Sequence, residues 1–326
     1  MSAAQILEVS EDDDGQRLDR WLKKNVSFIP YVLIQKLIRK GQIRVDGKKA
    51  KGDTRLVAGQ QVSLPVISDT GTVKREKPAL SDDDAQFIRS LVIFDDGHVI
   101  ALNKPAGLAV QGGTNTRRHI DGMLDALKDK KDVRPRLVHR LDKDTSGVML
   151  LARSAAVAKK LGDMFKGRDI RKTYWAIVTP TPQLRQGTIR APLIKAGGRD
   201  REKVVVDEDE GKMAVTEYAV LEDMGERAAF VAFWPKTGRM HQIRVHSLLM
   251  GCPVLGDGKY GGQDAFIKGL GHAQRLHLHA RRLVLPHPAG KGVLDIEAPL
   301  APDLARSWRD LGFDPSYDID PFVDIG

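Results

Sequence analysis

The chain has 326 residues, 41% of them apolar and 29% charged, which suffices for two domains on a soft scale of ~100–200 residues each. Its longest apolar runs, such as "VMLLA" and "LVIF", fall far below the ~18 residues of a spanning helix, and an acidic amino terminus stands where a secretory signal would be basic and then apolar. A cytoplasmic protein without a membrane partner is therefore expected. The single cysteine, Cys252, excludes an internal disulfide framework and a cysteine-rich zinc module, and beside Pro253 it reads as a small buried apolar residue. The net charge of +9 is local. Between Gly15 and Arg55 there are 12 basic residues against Asp19, Asp46 and Asp53, so this segment accounts for the whole excess and the remainder balances at 40 of each sign. A compact positive segment on a neutral background is the footprint of a polyanion-binding module, because counterion release from phosphates drives such binding.

Residues 15–67 read as one small unit. "RLDRWLKKN" places Leu18, Trp21 and Leu22 at helical spacing, and "YVLIQKLIRKG" repeats the pattern with Val32, Leu33, Leu37 and Ile38 inward and Gly41 closing the helix. "QIRVDGKKA" alternates toward a turn at Asp46-Gly47, and "QQVSLPV" returns as a strand. Lys36, Arg39, Lys40 and Arg44 fall on the outer side. Over about fifty residues this resembles the S4 (αL-type) RNA-binding domain, best in "RLDRWL" and "IQKLIRKGQIRVDGKK", with a departure at "FIPY".

Residues 68–85 are polar, hold Gly and Pro, show no apolar period, and read as a linker. Beyond them, "SLVIFDDGHVIALNKPAGLAVQGG" gives two strands about an Asp96-Gly97 turn. Further short strands ("VMLLARS", "TYWAIVT", "AFVAFWP", "RLVLPHP") alternate with loops and with helical stretches over 154–166 and 241–250. This is an α+β pattern with a mixed, mainly antiparallel sheet, without regular β-helix-β alternation. The acidic, Pro-containing end, "DPSYDIDPFVDIG", reads as a mobile tail.

Four stretches concentrate reactive side chains: "HRLDKDTSG" (139–147), "RKTYWAIV" (171–178), "TGRMHQIRVH" (237–246) and "RLHLHARRL" (275–283). Metal chemistry is not indicated: His241 and His246 fall on different helix faces, and His277 and His279 share a strand face without a third ligand. "GGTNTRR" and "GDGKYGG" follow neither phosphate-loop nor dinucleotide spacing, so their glycines read as turn residues. Ser146 lacks a nucleophile elbow. A carboxylate among cations remains. Asp142 follows Arg140 and precedes Lys143, and opposite charge favours the ionised form, which can attack a sugar or base carbon. Spacing alone leaves a structural Asp142–Arg140 ion pair open; by the same reading Tyr174 packs in the core beside Trp175, and Arg244 is a surface arginine. Asp144, before Thr145-Ser146-Gly147, reads as a turn cap.

"HRLDKDTSG" before an apolar strand, "KTYWA" some thirty residues on and "GRMHQIRVH" resemble, in order, the three core motifs of the RluA family of pseudouridine synthases. "NKPAGLAV", "GDGKYGG" and "LHLHARRL" extend the resemblance over about residues 90–290, and "GLAVQGGTN" is similar to the loop of its large-subunit ribosomal RNA enzymes with an amino-terminal S4 domain. The resemblance implies an S4 domain at 1–67, the linker at 68–85 and a catalytic domain at 86–326. It implies Asp142 as nucleophile, Tyr174 stacked on the uracil and able to transfer a proton, Arg244 paired with Asp142, and Arg140 filling the place of the extruded nucleotide or holding its phosphate. His139, His241 and His246 are left as structural hydrogen-bonders. No metal or cofactor is implied. The partner would be large-subunit ribosomal RNA or a pre-ribosomal particle, bound by a monomer. Transfer RNA as substrate, and an RNA-binding assembly factor without turnover, are the alternatives.

Overall fold

The computed structural model describes residues 4–26, 29–65, 80–113, 116, 118–167, 170–197, 203–270 and 274–322. They fall into two compact units, Met1–Ala79 and Leu80–Gly326. Most of the predicted linker lies outside the described residues. Its last part does not: Ser81 caps a helix through its hydroxyl, and Asp82, Asp83 and Asp84 occupy the first turn, where carboxylates suit the positive helix end.

The amino-terminal unit comprises β1 (Ala4–Glu8), α1 (Leu18–Asn25), α2 (Tyr31–Arg39), β2 (Arg44–Val45), β3 (Lys48–Lys49) and β4 (Gln61–Pro65), in an antiparallel sheet of order β1-β4-β2-β3. Helices α1 and α2 bury Leu18, Trp21, Leu22, Ile34, Leu37 and Ile38 against Val45, Val62 and Leu64. Gly41, with φ +66°, ends α2 as expected. Val32 is not inward: it is 80% exposed, because the buried stripe runs through Ile34, Leu37 and Ile38 and Val32 lies about half a turn away. Lys36, Arg39, Lys40 and Arg44 are all exposed.

The second unit begins with α3 (Asp82–Ser90), β5 (Val92–Asp95), β6 (Val99–Lys104), α4 (Ile120–Met123), β7 (Arg136–Leu137), β8 (Ser146–Ala152) and α5 (Ala155–Lys166). It continues with β9 (Arg171–Val178), β10 (Gln186–Lys195), β11 (Val204–Val206), β12 (Lys212–Asp223), β13 (Ala229–Pro235) and α6 (Gln242–Leu249). Strands β14 (Leu278–Pro286) and β15 (Val293–Glu297) and helix α7 (Pro302–Asp310) complete it. The strands form one sheet of order β11-β10-β12-β13-β9-β14-β8-β6-β5, with β15 on β14 and β7 on β8. Every pairing is antiparallel except β14 with β8. The sheet is mixed and mainly antiparallel, as its sequence pattern indicates. Fully buried β8 packs with β6, α4 and α5, while β9 and β13 are covered by α7 on one side and by Ile243 of α6 and the buried Cys252 on the other.

Two sequence expectations change here. Ser146 and Gly147 belong to strand β8 rather than to a turn. The carboxyl-terminal segment is packed as far as it is described: Phe322 is buried against Trp234, Tyr317 meets Phe230 edge-on, and Asp320 pairs with Arg171 at 2.7 Å. No helix among the described residues is long and apolar enough to cross a membrane.

Four histidines of this unit are held neutral by burial. Burial lowers His246, His277 and His279 to about 4, and burial with the charge of Lys172 lowers His139 to about 3. Each takes up a proton on unfolding with an ordinary value of 6.5, so this stability is complete above that pH and is lost progressively toward pH 4, by up to about 1.4 kcal/mol per pH unit per histidine. Urea melts are expected to lose several kcal/mol of unfolding free energy between pH 7 and pH 5. A flat profile over that range would contradict the neutral assignment.

Candidate active site

The loop before β8 is fixed from below by a buried ammonium. Lys104, at the end of β6, is completely buried and donates to the carbonyl oxygens of Pro105 (3.0 Å), Leu108 (2.9 Å) and Lys143 (2.9 Å). Burial lowers its pKa to about 7, while Asp144 and Asp142 work to raise it. Gly107 N–H donates to the same Lys143 carbonyl at 2.9 Å, and Thr145 N–H to that of Asp142 at 3.2 Å. The backbone on both sides of Asp142 is thereby held. His139 accepts from Leu150 N–H at 2.8 Å and stacks on Phe165, which fastens the start of the loop.

A row of paired residues carries Tyr174 to this loop. Gly147 of β8 faces Ala280 of β14, which faces Tyr174 of β9, which faces Phe233 of β13. Tyr174, Asp142, Arg140, His241 and Arg244 line one cavity of about 620 Å³, inside the usual range of small-molecule sites. Burial raises the Tyr174 phenol, and the Asp142 charge raises it further, so the ring is neutral and protonated near pH 7. Asp142 is partly exposed and Arg140 is exposed.

Arg244 enters the cavity but does not pair with Asp142. Its Nε and a terminal nitrogen donate to Asp257 at 2.7 and 2.6 Å, and its guanidinium lies 4.9 Å from the centre of the Tyr260 ring. Asp257 is almost completely buried, and a buried carboxylate requires a fixed cation. Burial of Arg244 disfavours its charge, but the Asp257 bonds and the fields of Asp257 and Asp142 outweigh this and raise its pKa. The nearest ionisable partner of Asp142 is instead His241, whose Nε2 is 3.9 Å from Oδ2 and whose Nδ1 is 2.7 Å from the Tyr260 hydroxyl. His241 precedes α6 in the left-handed region, φ 52° and ψ 20°. His246 bonds Thr216 at 2.9 Å and His139 bonds the backbone, as structural roles require.

Lys104, Asp257, Tyr260 and the placement of His241 escaped the sequence reading. "GDGKYGG" read as turn glycines, whereas its Asp and Tyr position the arginine of "HQIR". Among the described residues no three His, Cys, Asp or Glu side chains converge on a metal-sized site.

The family model described as RNA pseudouridylate synthase matches residues 98–248, which hold Asp142, Tyr174 and Arg244. A protein named ribosomal large subunit pseudouridine synthase C from Vibrio cholerae is 34% identical over 313 residues, covering 93% of this chain and 95% of that protein. The chain belongs to the RNA pseudouridylate synthase family, in its RluA branch. The synthase is thus an isomerase acting on RNA. The likewise-named protein of Escherichia coli K12 is 34% identical over 315 residues, covering 95% of this chain and 97% of that protein. The solved structure of human RNA pseudouridylate synthase domain containing 4 superposes with a TM-score of 0.59 at 30% identity, over 70% of this chain and 95% of that chain.

The pairing of Arg244 is open to a direct check. In a stability double-mutant cycle, Arg244→Ala with Asp257→Ala is expected to give a coupling of about 3 kcal/mol, and Arg244→Ala with Asp142→Ala less than about 1 kcal/mol. Equal couplings would contradict the arrangement.

Proposed function

We propose that the synthase converts uridine to pseudouridine in large-subunit ribosomal RNA, with Asp142 as the reacting carboxylate. The observation that carries this reading is the meeting of Asp142 with the protonated Tyr174 ring in a cavity that can receive an extruded base. The names of the similar Vibrio and Escherichia proteins support the choice of RNA.

In the reaction the bond from ribose C1′ to uracil N1 breaks, the uracil turns while bound, C1′ joins C5, C5 gives up its hydrogen as a proton, and N1 takes up a proton. With the proton lost at C5 matched by the one gained at N1, atoms and electrons balance, so the isomerisation needs no external redox partner or co-substrate. A carboxylate placed here serves attack at C1′, attack at C6, or removal of the 2′ proton. Tyr174 supplies a flat aromatic face for the pyrimidine, and its raised pKa makes it a poor base in the resting site. Arg140, exposed at the cavity rim, fills the space left by the extruded nucleotide or binds its phosphate. Arg244 shapes the pocket through Asp257 and adds a positive field at Asp142.

We further infer that the amino-terminal unit is an S4-type RNA-binding module and that the synthase works in the cytoplasm. Supporting the first are two helices and a small antiparallel sheet, a charge excess confined to residues 15–55, and the exposure of Lys36, Arg39, Lys40 and Arg44. Arg44 also reaches the carbonyls of Gly41 and Gly47 at 3.4 and 3.3 Å, which holds it close to the hairpin. Extrusion of the target costs roughly a few kcal/mol, which phosphate contacts by this unit would offset.

Pseudouridine mapping in cells that lack the synthase is expected to show loss at defined large-subunit positions, restored by the wild-type chain and not by Asp142→Asn. Loss confined to transfer RNA would overturn the substrate, and restoration by Asp142→Asn would overturn the catalytic assignment. Charge reversal at Lys36, Arg39 and Lys40 is expected to weaken RNA binding and to flatten its salt dependence by roughly one unit of slope per lost phosphate contact. An unchanged slope would remove these residues from the interface.

A further inference from the structure

We infer that His241 is a positioning residue for Asp142, locked by Tyr260 in the tautomer that carries its proton on Nε2 and presents that N–H to the carboxylate. The inference deepens the function proposed above and rests on it.

The lock follows from a count of hydrogens. Val204 N–H donates to the Tyr260 hydroxyl oxygen at 2.9 Å, and His241 Nδ1 lies 2.7 Å from the same oxygen. A phenol has one hydrogen to give. Were Nδ1 protonated, two N–H groups would point at the oxygen and the phenol hydrogen would find no acceptor among the described residues. With Nδ1 as acceptor, all three groups are satisfied: Val204 N–H to Oη, and Oη–H to Nδ1. The neutral imidazole then holds its proton on Nε2, which faces Oδ2 of Asp142 at 3.9 Å.

Burial favours a neutral ring at this place, and two features of the geometry favour a functional role for it. The charged groups around His241 are Asp142, Asp257, Arg244 and Lys259, and burial of the ring outweighs the two carboxylates and lowers its pKa. Arg244 is already engaged by both oxygens of Asp257 and forms no short ion pair with Asp142, which leaves His241 as the nearest ionisable side chain to that carboxylate. The carboxylate thus faces an N–H across the cavity and has no short ion pair of its own. A gap of 3.9 Å exceeds a hydrogen bond, and such bonds commonly shorten only when substrate fills the site. The left-handed backbone at His241 points the same way: a non-glycine residue held at φ 52° next to a reacting group is the kind of local strain that functional sites retain.

The test combines a tautomer measurement with single-turnover kinetics. Long-range proton–nitrogen correlation spectra of histidine-labelled protein, with the His241 signals assigned by their absence in His241→Gln, are expected to show the Nε2–H form in the wild type and a mixture in Tyr260→Phe. Single-turnover release of tritium from C5-labelled uridine in large-subunit ribosomal RNA is expected to slow about tenfold in Tyr260→Phe, with RNA affinity within about twofold of wild type. His241→Gln, which keeps an amide N–H near the Nε2 position, is expected to retain several-fold more activity than His241→Ala, although both place a side chain of similar backbone preference at the left-handed position. Wild-type turnover together with equal Gln and Ala rates, with an unslowed Tyr260→Phe, or with an Nδ1–H tautomer would overturn the positioning role and leave the function intact. Absence of turnover in the wild type on both naked transcript and pre-ribosomal particles would overturn the function and the positioning role together.

Discussion

At Gly147 the backbone of β8 passes so close to β14 that a Cβ would lie 2.2 Å from the Ala280 carbonyl oxygen, and the residue adopts φ +114°. Only glycine fits such an approach at that conformation. Among the described strands this contact is the single parallel pairing in the sheet, and it aligns Gly147, Ala280, Tyr174 and Phe233 in one row. The loop ahead of β8 therefore ends beside Tyr174, and the segment after β13 leads through His241 into α6 at the same cavity. Asp142, Tyr174 and Arg244, distant in sequence, share a site because one close backbone approach sets the register of four strands.

The site is then organised by pairing charges that burial would otherwise make costly. Lys104 gives its ammonium to three carbonyls and so holds the loop of Asp142; Asp257 takes the guanidinium of Arg244 and so fixes the wall of the cavity. Both clamps are buried, and Lys104 uses all three of its N–H donors, whereas Asp142 itself is left partly exposed and without a short ion pair. A reacting group kept open within a rigid polar frame is what preorganised electrostatics requires.

Strands β5, β6, β8, β9 and β13 and helix α5 were legible from alternation, apolar runs and turn residues, and Asp142, Tyr174 and Arg244 from their motifs. The partner of Arg244 was not legible, because sequence spacing says nothing about which of two carboxylates a folded arginine meets. Asp257 lay hidden in a stretch that read as turn glycines. The start of α3 was missed although its signal was present: Ser81 three residues before Asp84 is a helix-capping spacing, but the acidic run shares its composition with a linker. Val32 points outward because a short helix with five aliphatic residues admits two stripes, and only packing chooses between them. Phe322 shows the same limit at the carboxyl terminus, where an acidic composition concealed an apolar anchor.

We propose that the half-open carboxylate of Asp142 performs the isomerisation beside Tyr174. The most direct test is release of tritium from C5-labelled uridine in large-subunit ribosomal RNA by the purified synthase, with Asp142→Asn shown to be folded and to bind RNA as the control. Because C5 must lose its hydrogen on becoming the glycosidic carbon, the expected result is release by the wild type and none by Asp142→Asn. Release that persists in the folded Asp142→Asn protein would contradict the central claim.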